Sequence, residues 1–372
     1  MRVLHFVSWY PSKEHDQLGN FIQRHIEAIG LEHDCSVVYA RTANRRETEV
    51  RVERGVWTGR AFVPDRKPRA WRVNMALERL VKQELIPSWG RPDLIHLHVA
   101  AEAAEAAVRW AKRWDVPLVV TEHWTAYLSA KALTGRRRAR ARRALNAANI
   151  LAPVSAHLGR ALHKHAPAIS QQVIPNVVDC EQFELGAGAQ GAHRFFHVSS
   201  LNDQQKNIIG LLEAFAQALN KGADAELVVA GSGDDAAFQS WVRDQGLESR
   251  ISFLGRLTSD EVAREMAAAD ALVLFSRAEN MPCVMVEAWA AGTPVIATDV
   301  GGIGEFLTSD NGILLDSEDV AALADAMAEW NRKQWDRPGI RSKAQAQFSR
   351  AAIAAAYSDL YCSLTASADH RH

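Results

Sequence analysis

Two glutamates, Glu279 and Glu287, lie on either side of Pro282 with seven residues between them. Proline favours the first position of a helix and disfavours helical geometry in the residue before it, so we expect a helix from Pro282 that ends at Gly292. Glu279 would then lie in the preceding loop and Glu287 in the second turn. Carboxylates accept strong hydrogen bonds from neighbouring hydroxyls, which favours a sugar or ribose ligand. The spacing alone fits two solvated glutamates better.

The start of that helix is also a candidate phosphate site. The amides of Cys283 and Val284 would point out of the helix N-terminus, where the backbone favours negative charge. Lys206 lies in a loop after the apolar run Phe195–Ser199. A fixed ammonium suits the charge that develops on a departing diphosphate. A lone lysine is otherwise a solvated side chain, and its position beyond a strand favours the phosphate role.

The first half of the chain offers a glycine and several histidines. Gly19 precedes the predicted helix Phe21–Ile29, and a glycine there allows close approach of backbone to phosphate, although an ordinary turn explains a single glycine better. His96 and His98 share one face of a strand, and His123 follows the next strand. A His-x-His pair can be half of a metal site. We find no Asp or His set nearby that completes one, and we expect packing and no metal.

The run Arg136–Arg143 contains six arginines and two alanines, placing positive charge around most of a helix. Without large apolar residues it cannot insert into a membrane as an amphipathic anchor. Contact with anionic lipid headgroups remains open, as does a plainly solvated face. We expect no nucleic acid, because no base-stacking aromatics are interleaved with the arginines.

Short apolar runs alternate with longer helical patterns along the chain, which predicts parallel sheets flanked by helices. A first series ends near 173–179 and a second begins near 195. Ligands bind such sheets beyond the carboxyl ends of the strands. The predicted strands are Val3–Val7, Ser36–Ala40, Leu94–His98, Leu118–Thr121 and Ile150–Val154, then Phe195–Ser199, Glu226–Ala230, Ile251–Leu254, Ala271–Phe275 and Pro294–Ala297.

The composition fits a soluble two-domain enzyme. With 372 residues, 48% hydrophobic and 23% charged, the chain is long enough for two cores. No apolar run reaches the roughly 20 residues of a membrane span, and Met1–Tyr10 indicates a buried first strand rather than a secretion signal. Four scattered cysteines, without a C-x-x-C pair, fit reduced thiols. We therefore expect a cytoplasmic protein.

Charge is distributed unevenly between the two halves. Through Cys180 the chain has 28 Lys and Arg against 17 Asp and Glu, and beyond it 15 against 27. A basic first half joined to an acidic second half indicates that the first half faces something anionic.

Several motifs together resemble the retaining glycosyltransferases of family 4, which have the GT-B fold. The E-x7-E pattern at Glu279 and Glu287 continues into E-A-x-A-x-G-x-P-V and then into a Gly-Gly-x-x-Glu at 301–305. Three further segments are similar to family motifs: residues 174–179 (IPNVVD), 227–233 (LVVAGSG) and 251–256 (ISFLGR). The resemblance covers nearly the whole chain.

The resemblance implies two Rossmann-like, doubly wound parallel-sheet domains that face each other across a cleft. The acceptor-side domain would be 1–178, with a closing helix 350–366 that packs back on it, and the nucleotide-sugar domain would be 179–349. The implied catalytic residues are Glu279, Lys206 and His123. The implied donor-binding residues are Gly19, Ser200, Lys206, Arg256, Leu257, Asn280, Met281, Pro282, Cys283, Val284 and Glu287.

Within this set the resemblance assigns individual roles. Glu287 would bind the ribose hydroxyls, Glu279 the transferring sugar together with His123, and the backbone of Arg256 and Leu257 the base. The family usually places an arginine at position 200, where this chain has Ser200, so the source of the second positive contact to the diphosphate is open. No D-x-D motif indicates a metal, and we expect no cofactor.

The implied function is transfer of a sugar from a nucleoside-diphosphate sugar, such as a UDP-sugar or GDP-mannose, to a glycan or lipid-linked acceptor. Cell-envelope polysaccharide or glycolipid synthesis would be the setting, and peripheral binding at the inner face of the membrane stays open. Two alternatives remain. Ser200 leaves open a catalytically silent subunit that binds sugar nucleotides, and residues 231–236 (GSGDDA) leave open a nicotinamide oxidoreductase, although no acidic ribose ligand follows them.

Overall fold

The computed structural model describes residues 1–67, 69–129 and 133–369. It divides into two compact units. The N-terminal unit comprises 1–177 and the C-terminal segment from Arg350, and the C-terminal unit comprises Val178–Ser349. Each unit contains one mainly parallel sheet with helices around it.

The N-terminal unit contains a seven-stranded sheet in the order β3-β4-β2-β1-β5-β6-β7. Its elements are β1 (Arg2–Val7), α1 (Asn20–Ile29), β2 (Asp34–Ala43), β3 (Glu47–Glu53), β4 (Val56–Pro64), α2 (Arg69–Arg79), a π-helical turn (Leu80–Leu85), α3 (Ile86–Ser88), β5 (Leu94–His98), α4 (Ala104–Trp114), β6 (Leu118–Glu122), a 3-10 turn (Thr125–Leu128), α5 (Gly135–Ala147), β7 (Ile150–Pro153) and α6 (Ala156–His163). The strand order reverses between β1 and β5.

The C-terminal unit contains a six-stranded parallel sheet in the order β10-β9-β8-β11-β12-β13. Its elements are a 3-10 turn (Cys180–Gln182), β8 (His193–Ser199), α7 (Asp203–Lys206), α8 (Ile208–Asn220), β9 (Ala225–Gly231), α9 (Ala236–Asp244), β10 (Ile251–Gly255), α10 (Ser259–Ala268), β11 (Ala271–Leu274), α11 (Cys283–Ala290), β12 (Val295–Thr298), α12 (Ile303–Phe306), β13 (Gly312–Leu315), α13 (Val320–Ala328), a 3-10 turn (Trp330–Arg332) and α14 (Arg337–Phe348). Here the order reverses between β8 and β11.

The last helix, α15 (Arg350–Asp369), belongs to the N-terminal unit and packs against α1. Its Tyr357 and Tyr361 are fully buried, and the hydroxyl of Tyr361 is 2.6 Å from Nδ1 of His96 on β5. The predicted closing helix therefore packs back on the first domain. Among the described residues, no helix is both long and apolar enough to span a membrane.

The sheets contain strands beyond those predicted. β3 and β4 form an antiparallel hairpin at one edge, turned by Arg54 and Gly55, which both have positive φ. Consecutive positive φ values define the tight hairpin turn that matches the twist of paired strands. β3 exposes Val52 and carries charged residues, so it lacks the apolar run by which the buried strands were recognised.

Candidate active site

Lys206 and Glu279 meet in the C-terminal unit at the point where its strand order reverses. Lys206 is the last residue of the short helix α7, which follows β8, and Glu279 lies in the loop after the neighbouring strand β11. The Lys206 Nζ is 2.5 Å from Oε1 of Glu279, and Ser276 donates its hydroxyl to the same oxygen at 2.8 Å. The lysine and glutamate side chains are only 15% and 7% exposed. Open parallel sheets bind ligands at this topological position.

Arg277 fastens the lysine loop to the glutamate loop. Its guanidinium donates to the carbonyl of Asp203 at 2.6 Å, to Oδ1 of Asn207 at 2.5 Å and to Glu318 at 2.7 Å. The Arg277 amide also donates to the carbonyl of Gln205 at 2.8 Å. Because these bonds span the whole of α7, the position of Lys206 is fixed from both sides. No sequence motif indicated this arginine.

The chain reaches the start of α11 through a tight backbone packing. Gly301 has a φ of 66°, and a Cβ placed there would lie 1.9 Å from the carbonyl oxygen of Glu279. The next residue, Gly302, donates its amide to the carbonyl of Asn280 at 2.8 Å. Only glycine combines this φ with so close an approach. The Gly-Gly pair thus holds the loop that carries Glu279.

The helix start differs by one residue from the prediction. Pro282 is the N-cap of α11, with extended geometry at ψ 126°, and Cys283 is the first helical residue. The helix ends at Ala290, and Gly292 lies beyond it with a φ of 71°. Glu287 is in the second turn as predicted and is buried.

The remaining predicted donor residues of this unit are distributed around the same sheet edge. Asn280, Met281 and Pro282 are buried, whereas Cys283 and Val284 at the helix start are partly exposed. Arg256 and Leu257 follow β10, directly after Gly255 with its φ of 63°. Ser200 is exposed at the end of β8, on the loop that carries Lys206. Gly231, the first residue of the 231–236 segment, has a packing role, because a Cβ on it would lie 1.9 Å from the carbonyl oxygen of Ser199.

His123 is itself partly exposed and lies against a cluster of buried histidines in the N-terminal unit. Its ring is 4.7 Å from that of Phe21 and 5.1 Å from that of His25, centroid to centroid. His25 contacts Oδ1 of Asn176 through Nε2 at 3.3 Å. Burial lowers the pKa of His123 well below its ordinary value, and a hydrogen bond with Asn176 opposes that shift. The imidazole is therefore neutral and can serve as a hydrogen-bonding group.

His5 completes a group of three histidines that sequence analysis did not find. The rings of His96 and His98 stack at 4.0 Å, and Nδ1 of His5 lies 3.2 Å from Nε2 of His98. One nitrogen from each of the three lies within 4.8 Å of the others. The expectation that nothing completes the His-x-His pair was wrong, because β1 and β5 are neighbours only in the folded sheet.

Most ring nitrogens of these three histidines are already engaged in contacts within the protein. His96 contacts the hydroxyl of Tyr361 with Nδ1 and that of Thr121 with Nε2, the latter at 2.7 Å. A metal ion would have to displace one of these bonds. Desolvation lowers the pKa of His5 to about 3, and those of His96 and His98 fall well below the ordinary value. The three rings form a neutral, packed layer beneath the carboxyl ends of the strands.

Gly19 caps α1 with a φ of 73°. A Cβ at this position would lie 2.6 Å from the backbone of Trp9, so the glycine is required by packing within the loop after β1. This requirement is independent of any phosphate contact, which stays a prediction.

The arginine run forms part of α5 as predicted. Arg140 and Arg143 approach Glu105 of α4 at 3.5 and 3.0 Å, and most other arginines of the run are exposed. A groove of about 660 Å³ separates α4 from α5 and is bordered by Arg109, Lys112 and these two arginines.

Two family models match this chain. The model described as Glycosyltransferase Family 4 matches residues 23–182, and the one described as Glycosyl transferases group 1 matches 192–332. The chain belongs to glycosyltransferase family 4. It is therefore a transferase enzyme, and the oxidoreductase alternative is wrong.

Relatives and solved structures agree with this assignment. The chain is 28% identical to a glycogen synthase of Mycobacterium tuberculosis over 88% of this chain and 85% of that protein. It is 24% identical to TuaC of Bacillus subtilis, a putative teichuronic acid biosynthesis glycosyltransferase, over 98% and 99% of the two chains. The crystal structure of Anabaena HepE in complex with UDP superposes with a TM-score of 0.75 at 18% identity, over 98% of this chain and 100% of that one. The predicted GT-B fold of this glycosyltransferase is confirmed.

Proposed function

We propose that this glycosyltransferase moves a sugar from a nucleoside-diphosphate sugar to a glycan or lipid-linked acceptor, with retention of anomeric configuration. The observation that carries the proposal is the contact between Lys206 and Glu279 at the reversal of strand order. It joins a cation suited to a diphosphate with a carboxylate suited to sugar hydroxyls. HepE, which shares the fold, was solved with UDP, and this supports the class of donor.

In the proposed reaction Lys206 stabilises the leaving diphosphate. The bond between the anomeric carbon and the β-phosphate oxygen breaks, and its electrons remain on the phosphate. The acceptor oxygen bonds to the anomeric carbon, and the acceptor proton passes to a phosphate oxygen of the donor. No protein base is required for that transfer. The α11 N-terminus adds its positive end to the stabilisation, with the backbone amides of Asn280, Met281, Cys283 and Val284 as proposed contacts, because Pro282 has no N–H to donate.

Other residues are proposed to orient the donor. Glu287 accepts hydrogen bonds from the ribose hydroxyls, and the backbone at Arg256 and Leu257 contacts the base. Glu279 and the neutral His123 hold the transferring sugar, with Gly19 and Ser200 beside the phosphates. Ser200 supplies a hydroxyl where the family has an arginine, so Lys206 carries a larger share of the charge. With a lysine and a helix start available, no metal or other cofactor is part of the proposal.

The free site keeps its charges paired. Glu279 neutralises Lys206 within a buried pair, and a lysine left unpaired there would be costly. We propose that an arriving diphosphate takes over the ammonium while the sugar hydroxyls take over the carboxylate. Donor binding thus exchanges one ion pair for two charge-assisted contacts, and a nucleotide lacking the sugar satisfies only one of them.

The setting we propose is cell-envelope polysaccharide or glycolipid synthesis, at the cytoplasmic face of a membrane. The exposed arginines of Arg136–Arg143 support contact with anionic headgroups, at about 1 kcal/mol for each basic residue near the surface. The same run lacks interleaved aromatics, and nucleic acid is not a proposed partner.

The test is release of nucleoside diphosphate from a panel of UDP-, GDP- and ADP-sugars supplied with glycan and lipid-linked acceptors. We expect release from one base class, stimulated by one acceptor class, with the anomeric configuration retained in the product. Tight donor binding without release for any acceptor would indicate the silent subunit instead. An inverted product would overturn the proposed stereochemistry.

A further inference from the structure

A cavity of about 180 Å³ opens at the carboxyl ends of β1, β5 and β6 in the N-terminal unit. The strand order of this sheet reverses between β1 and β5, so the cavity occupies the position where open parallel sheets bind ligands. It has room for one sugar ring. Its walls are Trp9, residues 100–102, Trp124, Arg137 and Arg140.

One wall of the cavity is aromatic. The indoles of Trp9 and Trp124 pack edge to face, 5.7 Å apart and at 84°, and both residues are only partly buried. Trp9 is braced on its other side by Phe21 at 6.3 Å. A rigid indole surface at a cavity mouth suits the apolar face of a pyranose, because it gives contact area at little entropic cost.

The opposite wall is positively charged. Arg137 and Arg140 are three residues apart on α5, so their side chains lie on one face of the helix. The Nε of Arg140 is buried without a hydrogen bond, and it forms only a long ion pair, at 3.5 Å, with Glu105. Arg137 is exposed and forms no ion pair with any residue that the structure describes. Two guanidinium groups with spare donors can bind a carboxylate or phosphate.

Glu102 lines the same cavity. With Arg137 and Arg140 opposite one glutamate, the charged lining of the cavity is still positive overall. Its carboxylate can accept hydrogen bonds from sugar hydroxyls while the two arginines take an anionic substituent. An aromatic surface, a hydroxyl acceptor and two cations therefore converge on a space for one ring. A neutral sugar would leave Arg137 without a partner.

The cavity also adjoins the residue proposed to hold the donor sugar. Trp124 directly follows His123, and Phe21 contacts both His123 and Trp9. We propose that the cavity is the acceptor subsite and that it selects a sugar bearing a carboxylate or a phosphate. This inference rests on the proposed glycosyl transfer, and it adds the charge class of the acceptor.

The experiment is a saturation-transfer NMR titration of the full-length protein with glucose, glucuronate and glucose 1-phosphate. A charge-assisted hydrogen bond that is lost weakens binding by about tenfold. We expect both anionic sugars to bind about tenfold more tightly than glucose, and Arg137→Gln to abolish that preference. The stronger of the two anions identifies whether the natural group is a carboxylate or a phosphate.

Two variants guard against indirect effects. Arg138→Gln removes the same charge from the same helix without lining the cavity, and it should keep the preference. Trp124→Leu should weaken all three sugars alike, with folding checked by circular dichroism. The inference is overturned if glucose binds as tightly as the anions, if no anionic sugar binds, or if Arg138→Gln acts like Arg137→Gln.

The nucleotide-sugar assay separates this inference from the proposed function. Donor turnover combined with no preference for anionic sugars would refute the proposed acceptor subsite and leave the proposed glycosyl transfer intact. Anionic sugar binding in a protein that binds no nucleotide sugar would instead sink the proposed transfer and the acceptor role assigned to the cavity.

Discussion

Lys206 contributes a positive charge that position 200 does not reinforce, because this chain has Ser200 there and no arginine. A preorganised cation aimed at developing negative charge typically accounts for 10²- to 10³-fold in rate, roughly 3–4 kcal/mol. Arg277 is close in sequence to Glu279, but its guanidinium is occupied by Asp203, Asn207 and Glu318. It is better placed to position the lysine loop than to replace the missing arginine.

We expect Lys206→Gln to lower turnover of the donor by at least about 100-fold while weakening donor affinity much less, because the lost contact strengthens as the diphosphate leaves. Steady-state kinetics with the active nucleotide sugar measure both quantities. Lys221→Gln, which breaks a surface pair with Asp325 in the same unit, is the matched control. Equal loss in the two variants would remove Lys206 from the reaction.

Gly301 and Gly246 provide a matched pair for the loop that carries Glu279. Their φ values are 66° and 68°, but a Cβ would lie 1.9 Å from Glu279 at the first and meet nothing within 4 Å at the second. Gly246→Ala should cost about 1–2 kcal/mol for its conformation alone. Gly301→Ala should cost several kcal/mol more in urea denaturation and weaken donor binding. Equal costs would show that the close approach is not a constraint.

At the scale of elements, most of the parallel strands were predicted, whereas the edge hairpin of β3 and β4 and the last strand β13 were not. β11, for example, is a continuous apolar run, because both faces of a parallel sheet are covered. The sequence of β3 is rich in charged residues, because it is an edge strand and charges there discourage pairing with another chain. The start of α11 was predictable to one residue, because proline restricts its neighbour locally.

The exposed arginines of helix α5 predict binding to anionic membranes. We expect the protein to co-sediment with vesicles that contain phosphatidylglycerol and not with pure phosphatidylcholine. Replacing the exposed Arg136, Arg138 and Arg142 by glutamine should weaken that binding by roughly 3 kcal/mol, at about 1 kcal/mol for each charge. A triple replacement of exposed basic residues in the C-terminal unit, Arg243, Lys333 and Lys343, is the control. Binding that ignores both lipid charge and the α5 variant would contradict the prediction.

At the scale of the whole molecule, buried neutral histidines make stability depend on pH. Burial lowers the pKa of His5 to about 3 and those of His25 and His197 to about 4. The pKa values of these histidines in the folded protein lie below the unfolded value of 6.5. The stability gained by keeping them neutral is therefore complete above pH 6.5 and is lost as the pH falls toward 4. Glu122 acts oppositely, because burial raises its pKa to about 7 and its contribution fades as the pH rises from 4.5.

The histidines outnumber Glu122, so we expect the free energy of unfolding to fall from pH 7.5 to 5.5. Each buried histidine contributes about 1 kcal/mol per pH unit below 6.5. Urea denaturation across this range measures how steeply the free energy of unfolding changes with pH. His25→Gln should reduce that slope by the equivalent of about one proton taken up on unfolding. The exposed His163→Gln should leave it unchanged. Stability that rises on acidification would contradict the neutral cluster.

The fold and much of the C-terminal site were predictable because their signals are local, in strand runs, a proline before a helix and family motifs. The contacts of Arg277 with α7 and of His5 with His98 were not, because they join residues far apart in sequence through adjacent strands. The positively charged cavity of the N-terminal unit needed the structure for the same reason. Trp9, Trp124 and Arg137 come from three separate segments that meet only where the sheet reverses its order.

The central claim is that Glu279, in the loop before α11, and Glu287, on α11, bind a nucleotide sugar. Its most direct test is calorimetric titration of the wild-type protein and Glu287→Gln with the UDP-, GDP- and ADP-sugar panel. We predict saturable binding of one base class to the wild type, and binding about tenfold weaker in the variant, which loses charge-assisted hydrogen bonds to the ribose. Absence of binding for every nucleotide sugar, or equal affinity in the two proteins, would contradict the account.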